Sequence, residues 1–496
     1  MSPQITIALS VLLPFLCALG IAVTGRRSNL REAVTVVGSI ATFAIVLGLA
    51  GPVMDGARPE LVVHQVLPGL ALAFEVEPLG MLYALVASGL WIPTGLYAIG
   101  YCRGHHEQNQ TRFFACFALA IGAALGIAMA ANLFTLFLFY ELLTLSTYPL
   151  VTHYGNAESR SAGRTYLGIL LSTSVGFLLL AIAWTWQATG TLDFRPGGIL
   201  AGHVEGPEVA ILLALYAFGT GKAALMPFHR WLPAAMVAPT PVSALLHAVA
   251  IVKAGVFTVL KVIVYVFGID LLTQTGASTW LMYTASFTLV AASIVALTKD
   301  NLKARLAYST ISQLSYIVLG VALATTAGVV GSGLHIAMHA MGKITLFFCA
   351  GAIFVASHKK NISEMDGIGR RMPFTMIAFF LASLSIIGLP PTGGTWSKWY
   401  LLLGAAEGHG VIFMVVLMLS SLLSIAYLMP VVARAFFVEA ADSEDQGHSD
   451  APTAGIREAP LLCVVPLCLT AVGCLLLFVY AGPIYRLLLP VMESGG

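Results

Sequence analysis

The sequence has 496 residues, of which 58% are hydrophobic and only 10% are charged, and its mean hydropathy is +0.89. Soluble domains carry about 25% charged residues, so this composition excludes a water-soluble protein. The lipid bilayer is the expected surrounding of such a chain, and no nucleic-acid partner is predicted.

Apolar stretches long enough to cross a membrane recur along nearly the whole sequence. A bilayer core of about 30 Å requires about 20 apolar residues of helix, and on this basis we predict an all-α membrane protein with about 14 spans. The first stretch lacks a positively charged leader and is followed by arginines, which favours a retained helix over a signal peptide. The predicted spans are Gln4 to Val23, Ala33 to Ala50, Pro78 to Tyr101, Phe113 to Ala130, Leu133 to Val151, Gly163 to Gln187, Val209 to Met226, Val242 to Gly268, Thr279 to Leu297, Ala304 to Ala324, Gly331 to Ser357, Pro373 to Leu403, Val411 to Ala433 and Leu461 to Leu489.

Positive charges are distributed unevenly between the loops. Loops that follow odd-numbered spans hold 17 Lys and Arg residues, whereas loops that follow even-numbered spans and the C-terminus hold 3. Because cytoplasmic loops are enriched in Lys and Arg, this asymmetry predicts that both termini lie on the outer face. We expect an integral protein of a bacterial cytoplasmic (inner) membrane.

The predicted spans divide the chain into five parts. These are an N-terminal three-helix segment (1–101), a first half-channel repeat (113–268), a second half-channel repeat (279–433), a cytoplasmic loop (434–460) and a C-terminal helix (461–496). The hydrophilic stretch from Glu439 to Pro460 is either a solvated loop or a docking segment for a partner.

Two spans contain helix-breaking residues. The seventh span is followed by prolines from Pro227 to Pro241, and the twelfth contains the run from Gly388 to Gly394. Proline and glycine free backbone carbonyls at membrane depth, which is tolerated only where protein or water satisfies them. The breaks are five spans apart, which predicts two inverted five-helix repeats, helices 4–8 and 9–13. A kinked packing helix is the alternative for each break alone.

Several ionisable residues lie inside the predicted spans, where each charge costs at least about 2.5 to 3.5 kcal/mol on insertion scales. Lys261 lies near a span end and is interpreted as reaching the surface, so we expect Lys261→Ala to be nearly silent. Four deep lysines then face one deep carboxylate, and because burial disfavours a charged lysine, these groups are suited to accept and release protons. The remaining candidates are Glu141, Lys222, His247, Lys253, His335, His339, Lys343 and Lys398.

His335, His339 and Lys343 recur at i, i+4 and i+8 and are predicted to form one stripe about 12 Å long. A proton path, satisfied core histidines and a metal clip are the alternatives, but no carboxylate or cysteine completes a metal site. The seven cysteines show no C-x-x-C spacing and no Gly-rich phosphate loop is present, so no metal and no cofactor are predicted. Sodium prefers several oxygen ligands, so another subunit is expected to supply any sodium site.

These residues lie in motifs by which the sequence resembles the antiporter-like family. That family comprises Mrp-type cation/proton antiporters, proton-pumping membrane subunits of respiratory complex I, and membrane-bound hydrogenases. The resemblance covers helices 4 to 13. The motifs run from Asn132 to Tyr148, Gly221 to Ser243, His247 to Gly255, Asp300 to Tyr316, His335 to Phe348 and Gly388 to Lys398.

The resemblance implies roles for the candidate residues. Glu141 and Lys222 would form the ion pair of the first half-channel, and His247 and Lys253 would lead to the centre. Lys303 matches a lysine at the cytoplasmic start of helix 10. His335, His339 and Lys343 would continue the path to Lys398, the lysine of the broken twelfth helix.

Three functions are compatible with this resemblance. The first is the proton-translocating subunit of a multi-subunit monovalent cation/proton antiporter, similar to an Mrp D subunit. The second is a proton-pumping membrane subunit of a complex I-like NADH:quinone oxidoreductase or a hydrogenase, in which the redox centres belong to other subunits. The third is an inorganic-carbon uptake subunit paired with a soluble zinc protein. The expected partners are other membrane subunits, protons and, through the complex, Na⁺.

Overall fold

Residues 2–245, 249–407, 411–439 and 455–493 are described by the computed structural model, and most of them lie in helices. The prediction of an all-α membrane protein is therefore confirmed. The α-helices are α1 (Pro3–Val23), α2 (Ser28–Met54), α3 (Pro78–Gly104), α4 (Gln110–Ala128), α5 (Leu133–Val151), α6 (Ala157–Thr173), α7 (Leu179–Thr189), α8 (Pro207–Gly219), α9 (Trp231–Ala234), α10 (Thr240–Ala244), α11 (Ile251–Val262), α12 (Ile269–Thr275), α13 (Thr279–Thr298), α14 (Leu302–Ala322), α15 (Thr326–Ser357), α16 (Ile368–Arg371), α17 (Pro373–Ile387), α18 (Gly394–Ala406), α19 (Val411–Phe437), α20 (Leu461–Val479), α21 (Ala481–Leu488) and α22 (Pro490–Glu493).

Short helical turns of other types join some of these helices. Single π-helical turns, Ser174–Leu178 and Ile263–Phe267, continue α6 into α7 and extend α11. Turns of 3-10 helix span Gly221–Ala223, Ala235–Val237 and Ile362–Glu364.

The structure contains a β-hairpin between α2 and α3 that the sequence analysis does not predict. Strands β1 (Glu60–Leu67) and β2 (Leu70–Glu75) pair antiparallel, with Leu67 opposite Leu70 across a Pro-Gly turn. The Asn132 side chain donates a hydrogen bond of 2.9 Å to the Ala71 carbonyl, which fixes the hairpin to the start of α5.

Ten helices of the described part are long and apolar enough to cross a membrane when α6, the π-helical turn and α7 are counted as one helix, Ala157–Thr189. An eleventh is obtained if the bent pair Ile251–Phe267 and Ile269–Thr275 is one span. The prediction of about 14 spans is larger because it includes segments that are shorter or more polar. α8 and α17 have 13 and 15 residues because a break follows each of them, and α14 has 21 residues but carries Lys303, Arg305 and Gln313.

Helices are interrupted where the proline and glycine runs predict. α8 ends at Gly219, and the chain then passes through a 3-10 turn to the short helix α9. α17 ends at Ile387 and α18 begins at Gly394, with Gly388 at a φ of 92° closing the first helix.

Several predicted spans have different bounds. The eighth, predicted from Val242 to Gly268, is divided, because α10 ends at Ala244 and α11 begins at Ile251. The last one is not a single helix from 461 to 489, because α20 ends at Val479 and the amphipathic α21 follows. The sixth begins at Ala157, six residues before the predicted start, where the Asn156 side chain accepts a hydrogen bond from the Ser159 N–H.

α15 lies at the centre of the bundle. It has 32 residues, and it packs against α3, α14, α17, α18 and α20. Almost every residue from Ala327 to Ile353 is buried, including both histidines and the lysine of the predicted stripe. Polar groups on this helix must therefore find their partners on neighbouring helices.

Candidate functional site

Lys222 lies in the 3-10 turn after α8 and is fully buried. Its ammonium Nζ donates hydrogen bonds to the Tyr140 carbonyl at 2.9 Å and the Thr144 hydroxyl at 2.6 Å, and it lies 3.1 Å from the centre of the Tyr140 ring. Tyr140 and Thr144 are one turn apart on α5, so one face of this helix holds the ammonium through neutral groups.

Glu141 is not in direct contact with Lys222. Among the described residues, neither oxygen of its carboxylate has a hydrogen-bond partner, and no ion pair within 4.0 Å joins it to a lysine. A residue next to Tyr140 is rotated by about 100° around the helix, which turns Glu141 away from the face that holds the ammonium. Glu141 and Lys222 therefore interact electrostatically at a distance and not through a hydrogen bond.

Gly255 brings α11 against the backbone of the break. A Cβ at this position would approach the backbone atoms of Lys222 and Ala223 far more closely than van der Waals contact permits. α11 carries Lys253, and the glycine therefore sets the distance between the first lysine and the centre of the protein.

A chain of polar side chains runs through the centre of the molecule. Lys253 Nζ lies 2.5 Å from His339 Nδ1, and the His339 and His335 rings are stacked with centroids 5.7 Å apart. His335 Nδ1 lies 2.9 Å from the Ser397 hydroxyl on α18. These contacts link α11, α15 and α18. His247, which the sequence places before this chain, lies outside the described residues.

Lys343 does not extend the histidine chain. Its ammonium donates to the Ser309 hydroxyl at 2.6 Å and the Leu306 carbonyl at 3.3 Å, both on α14. The predicted stripe on α15 therefore divides, with the histidines directed towards α11 and α18 and the lysine directed towards α14. At 3.6 residues per turn, position i+8 lies about 80° around the helix from position i.

Lys398 occupies the second break in a manner similar to Lys222 in the first. Its ammonium donates to the Ile387 carbonyl and the Ser421 hydroxyl, each at 3.0 Å, and lies 4.5 Å from the centre of the Tyr316 ring. A Cβ on Gly388 would lie 2.6 Å from the Lys398 side chain, so the glycine also provides space for it.

Lys303 lines a cavity of about 630 Å³ at the end of the molecule that carries the positively charged loops. Its ammonium donates to the Ala238 carbonyl at 2.6 Å. His105 and Tyr154 also line the cavity, and both contact the buried carboxylate of Glu107, whose Oε1 lies 2.9 Å from the Tyr154 hydroxyl.

The electrostatics of Glu107 follow from this position in the loop between α3 and α4. Burial would raise the pKa of its carboxyl group, but hydrogen bonds from His153 and Tyr154 and the charges of His153 and His105 hold that pKa below the usual value. Glu107 is therefore a carboxylate at neutral pH, beside two histidines and the cavity.

The prediction that Lys261 reaches the membrane surface is wrong. This lysine is fully buried, and its ammonium lies 3.3 Å from Glu77 and donates to the Ala130 carbonyl at 2.8 Å. Glu77 also caps α3 by accepting from the Leu79 and Gly80 N–H groups, and it accepts from the Tyr265 hydroxyl at 3.0 Å. The start of α3, the turn at Ala130 and the loop that contains Phe194 cover this end of α11, which the apolar length of the span does not reveal.

The sequence region that contains these residues matches a known protein family. The family described as "NADH:quinone oxidoreductase/Mrp antiporter, TM" matches residues 130–424, which is more than half of the chain. The chain belongs to this family. The matched region includes both broken segments and every candidate residue named above from Glu141 to Lys398.

Relatives within this family differ in length. NADH-quinone oxidoreductase subunit N of Desulforudis audaxviator is 32% identical over 422 residues, which cover 83% of this chain and 82% of that protein. A probable K(+)/H(+) antiporter subunit of Rhizobium meliloti is 32% identical over 69% of this chain and 34% of its own length. Hydrogenase-4 component B of Escherichia coli is 30% identical over 66% of this chain and 50% of its own length. The chain thus spans half or less of two of these relatives.

Two solved structures share the fold. A chain of the Mrp complex from Dietzia sp. DQ12-45-1b superposes with a TM-score of 0.85 and 22% identity over 100% of both chains. A chain of the membrane-bound sulfane sulfur reductase, an archaeal respiratory membrane complex, gives a TM-score of 0.86 and 23% identity over 99% of this chain and 98% of that one.

Sequence reasoning about this family member missed the neutral partners of the lysines. Charged residues and histidines are rare in spans and therefore stand out as candidates, whereas serine, threonine and tyrosine are common there. Helical spacing was the available signal, since Tyr140 and Thr144 recur at i and i+4, as do Ser420 and Ser424. The ion pair and helix cap that Glu77 forms are not indicated by the sequence, because Glu77 precedes Pro78 and resembles a loop residue.

Replacing Gly255 with alanine is expected to force α11 away from the Lys222 turn. Overpacking of this kind costs about 1 to 3 kcal/mol, so the melting temperature of the detergent-purified protein should fall. Gly168→Ala on α6 is the matched control, because a Cβ there meets nothing within 4 Å. Equal melting temperatures for the two variants would contradict the close approach.

Lys261→Met is expected to lower stability by about 3 kcal/mol, because it leaves the buried Glu77 carboxylate without its counter-charge. The double variant Glu77→Gln with Lys261→Met should recover part of the loss, since no charge is then left unpaired. Thermal unfolding in detergent measures both effects. If Lys261→Met melts like the wild type, the ammonium reaches water after all.

Proposed function

We propose that this chain is the proton-translocating subunit of a multi-subunit membrane complex, namely a monovalent cation/proton antiporter of the Mrp type. The observation that carries the proposal is the set of buried lysines at and between the two broken helices. Lys222, Lys343 and Lys398 are held by carbonyl and hydroxyl oxygens, and Lys253 is held by a histidine. Neutral partners of this kind tolerate both the charged and the neutral lysine, so each site can gain and lose a proton.

The cavity at Lys303 is the proposed entrance from the cytoplasm. It lies beside the positively charged loops, which the positive-inside rule assigns to the cytoplasmic side. The buried carboxylate of Glu107 lies 3.6 Å from both His105 and His153, which places a group of ionisable side chains beside this cavity. The same rule supports the proposed location of both termini on the outer face of a bacterial inner membrane.

Neighbouring membrane subunits are the proposed partners of the surface beside Glu141. Leu138, Leu142 and Leu145 on α5 are 42%, 37% and 55% exposed, and they form an apolar face next to the carboxylate. The relatives described above include chains named as subunits or components of larger assemblies. Any sodium site is proposed to lie in another subunit, because hard cations prefer several oxygen ligands including carboxylates, and within the described ranges no three or more acidic, histidine or cysteine side chains are grouped so that they could hold a metal ion.

A redox-driven pump is the second candidate function. It is favoured by the relative named subunit N, because that match covers 82% of the relative, whereas the antiporter relative is covered over 34%. In this case the chain would again conduct protons, but other subunits would supply the driving reaction.

Subunit composition separates the two candidates. The native complex, purified in mild detergent and analysed by mass spectrometry, should contain small hydrophobic subunits without cofactors, and its proton movement should depend on sodium or potassium. Iron–sulfur or nickel–iron subunits would instead establish the redox pump, and proton movement without any cation dependence would contradict the antiporter.

Glu141→Gln and Lys222→Met should each abolish proton movement by the complex. The first removes the charge that biases Lys222, and the second removes the proton-carrying group itself. Proton movement is measured in everted membrane vesicles with a pH-sensitive dye, and the amount of assembled complex is measured in the same membranes. Arg26→Ala, which removes an exposed charge in the first loop, is the control and should retain wild-type activity. Wild-type activity in both site variants would end the relay proposal.

A further inference from the structure

A seam of hydroxyl groups lies between α14 and α19. The contributing positions recur at helical spacing on each helix, so they share one face. All of them are buried except Ser421, which is partly buried, and they lie between helices whose other contacts are mostly apolar. The seam consists of Ser309, Ser312 and Tyr316 on α14 and Ser420, Ser421, Ser424 and Tyr427 on α19.

One end of this seam begins at Lys343. The Lys343 ammonium donates to the Ser309 hydroxyl at 2.6 Å, and that hydroxyl lies 2.9 Å from the Tyr427 hydroxyl. The Tyr427 hydroxyl in turn lies 2.9 Å from the Ser424 hydroxyl. Three hydroxyls in hydrogen-bond contact therefore lead from the lysine of α15 into the interface between α14 and α19.

The other end of the seam reaches Lys398. Its ammonium donates to the Ser421 hydroxyl at 3.0 Å, and Ser421 lies 3.2 Å from the Tyr316 hydroxyl. Tyr316 also stacks against His335, with ring centroids 5.6 Å apart. The histidine chain and the hydroxyl seam therefore come together at the second break.

The two halves of the seam meet at Ser420 and Ser424. The Ser424 hydroxyl donates to the Ser420 carbonyl at 2.9 Å, and the Ser420 hydroxyl lies 3.2 Å from Ser312. Residues one turn apart on a helix have Cβ atoms about 5 to 6 Å apart. The Ser420 side chain is also within hydrogen-bond reach of the Tyr316 hydroxyl. Rotation of the Ser424 side chain towards the Ser420 hydroxyl, or one bridging water, would therefore join the two halves.

We propose that this seam is a second proton route that connects Lys343 to Lys398 without passing through His335 and His339. The proposal rests on the proposed function. Packing alone does not require a lysine at each end of a row of buried hydroxyls, since apolar or small side chains pack helices without needing polar partners. The single stripe of His335, His339 and Lys343 that helical spacing predicts on α15 does not include this second route.

Proton transfer along the seam balances at every atom. The Lys343 ammonium gives one proton to the Ser309 oxygen while Ser309 passes its own proton to Tyr427. Each following hydroxyl gains one proton and loses one, and the last proton binds the neutral amine of Lys398. Lys343 ends neutral, Lys398 ends charged, and no hydroxyl retains a charge.

Tyr427→Phe tests the route because it removes one hydroxyl at the middle of the seam and keeps the ring. In everted vesicles containing the complete complex, this variant and His335→Asn should each reduce proton movement without abolishing it. The double variant should lose at least about 100-fold, the lower end of what a positioned proton-transfer group contributes. Tyr97→Phe is the matched control, because Tyr97 is equally buried and its hydroxyl donates to the Phe348 carbonyl away from the seam.

Two results would overturn the proposal. If Tyr427→Phe has the wild-type rate and the double variant equals His335→Asn, the seam only packs the helices. If Tyr427→Phe alone abolishes proton movement, the seam and the histidines act in series and are not alternative routes. Failure of the proposed function is recognised separately, because Lys222→Met would then retain the wild-type rate.

Discussion

The partner of each buried ammonium group determines what that lysine can do. A charge inside the membrane needs hydrogen-bond acceptors, and acceptors of different charge have different consequences. Lys222 and Lys343 are each bonded to one backbone carbonyl and one hydroxyl, and Lys398 is bonded to one carbonyl and two hydroxyls. Lys261 is bonded to a carboxylate and a carbonyl. A neutral partner tolerates loss of the proton, whereas loss of the proton next to a carboxylate leaves that charge buried alone.

This difference separates the lysines of the proposed relay from Lys261, whose partner is a carboxylate. Lys261 and Glu77 neutralise each other where the hairpin, α3 and α11 meet, and Glu77 also caps α3. The same residue type in the two breaks has no carboxylate within 4.0 Å among the described residues. Both kinds of lysine are therefore buried, and the charge of the bonded acceptor is the feature by which we propose to distinguish a proton carrier.

The sequence predicts the breaks and the lysines well because both have strong local causes. Proline and glycine interrupt a helix wherever they occur, and charged residues are rare in spans, so Lys222 and Gly388 stand out in the amino-acid sequence. By contrast, the residues that a side chain contacts in the folded protein cannot be read from its neighbours in the sequence. Lys261 lies seven residues before the predicted span end, but the chain bends by 80° after Phe267, and other segments cover that end of α11. Similarly, helical spacing places His335 and Lys343 on one helix side but does not reveal that their partners lie on different helices.

The two broken segments differ in one respect that bears on direction. Tyr140 lies against Lys222 as Tyr316 lies against Lys398, and each tyrosine is on a helix that packs beside the break. The residue after Tyr140 is Glu141, whereas the residue after Tyr316 is Ile317. A nearby carboxylate stabilises the protonated lysine in the first segment, and the second segment has no equivalent group next to its tyrosine. In the proposed relay, the charge on Lys398 would therefore depend on protons delivered from Lys343 and the histidines, and the second segment would receive protons that the first segment retains more strongly.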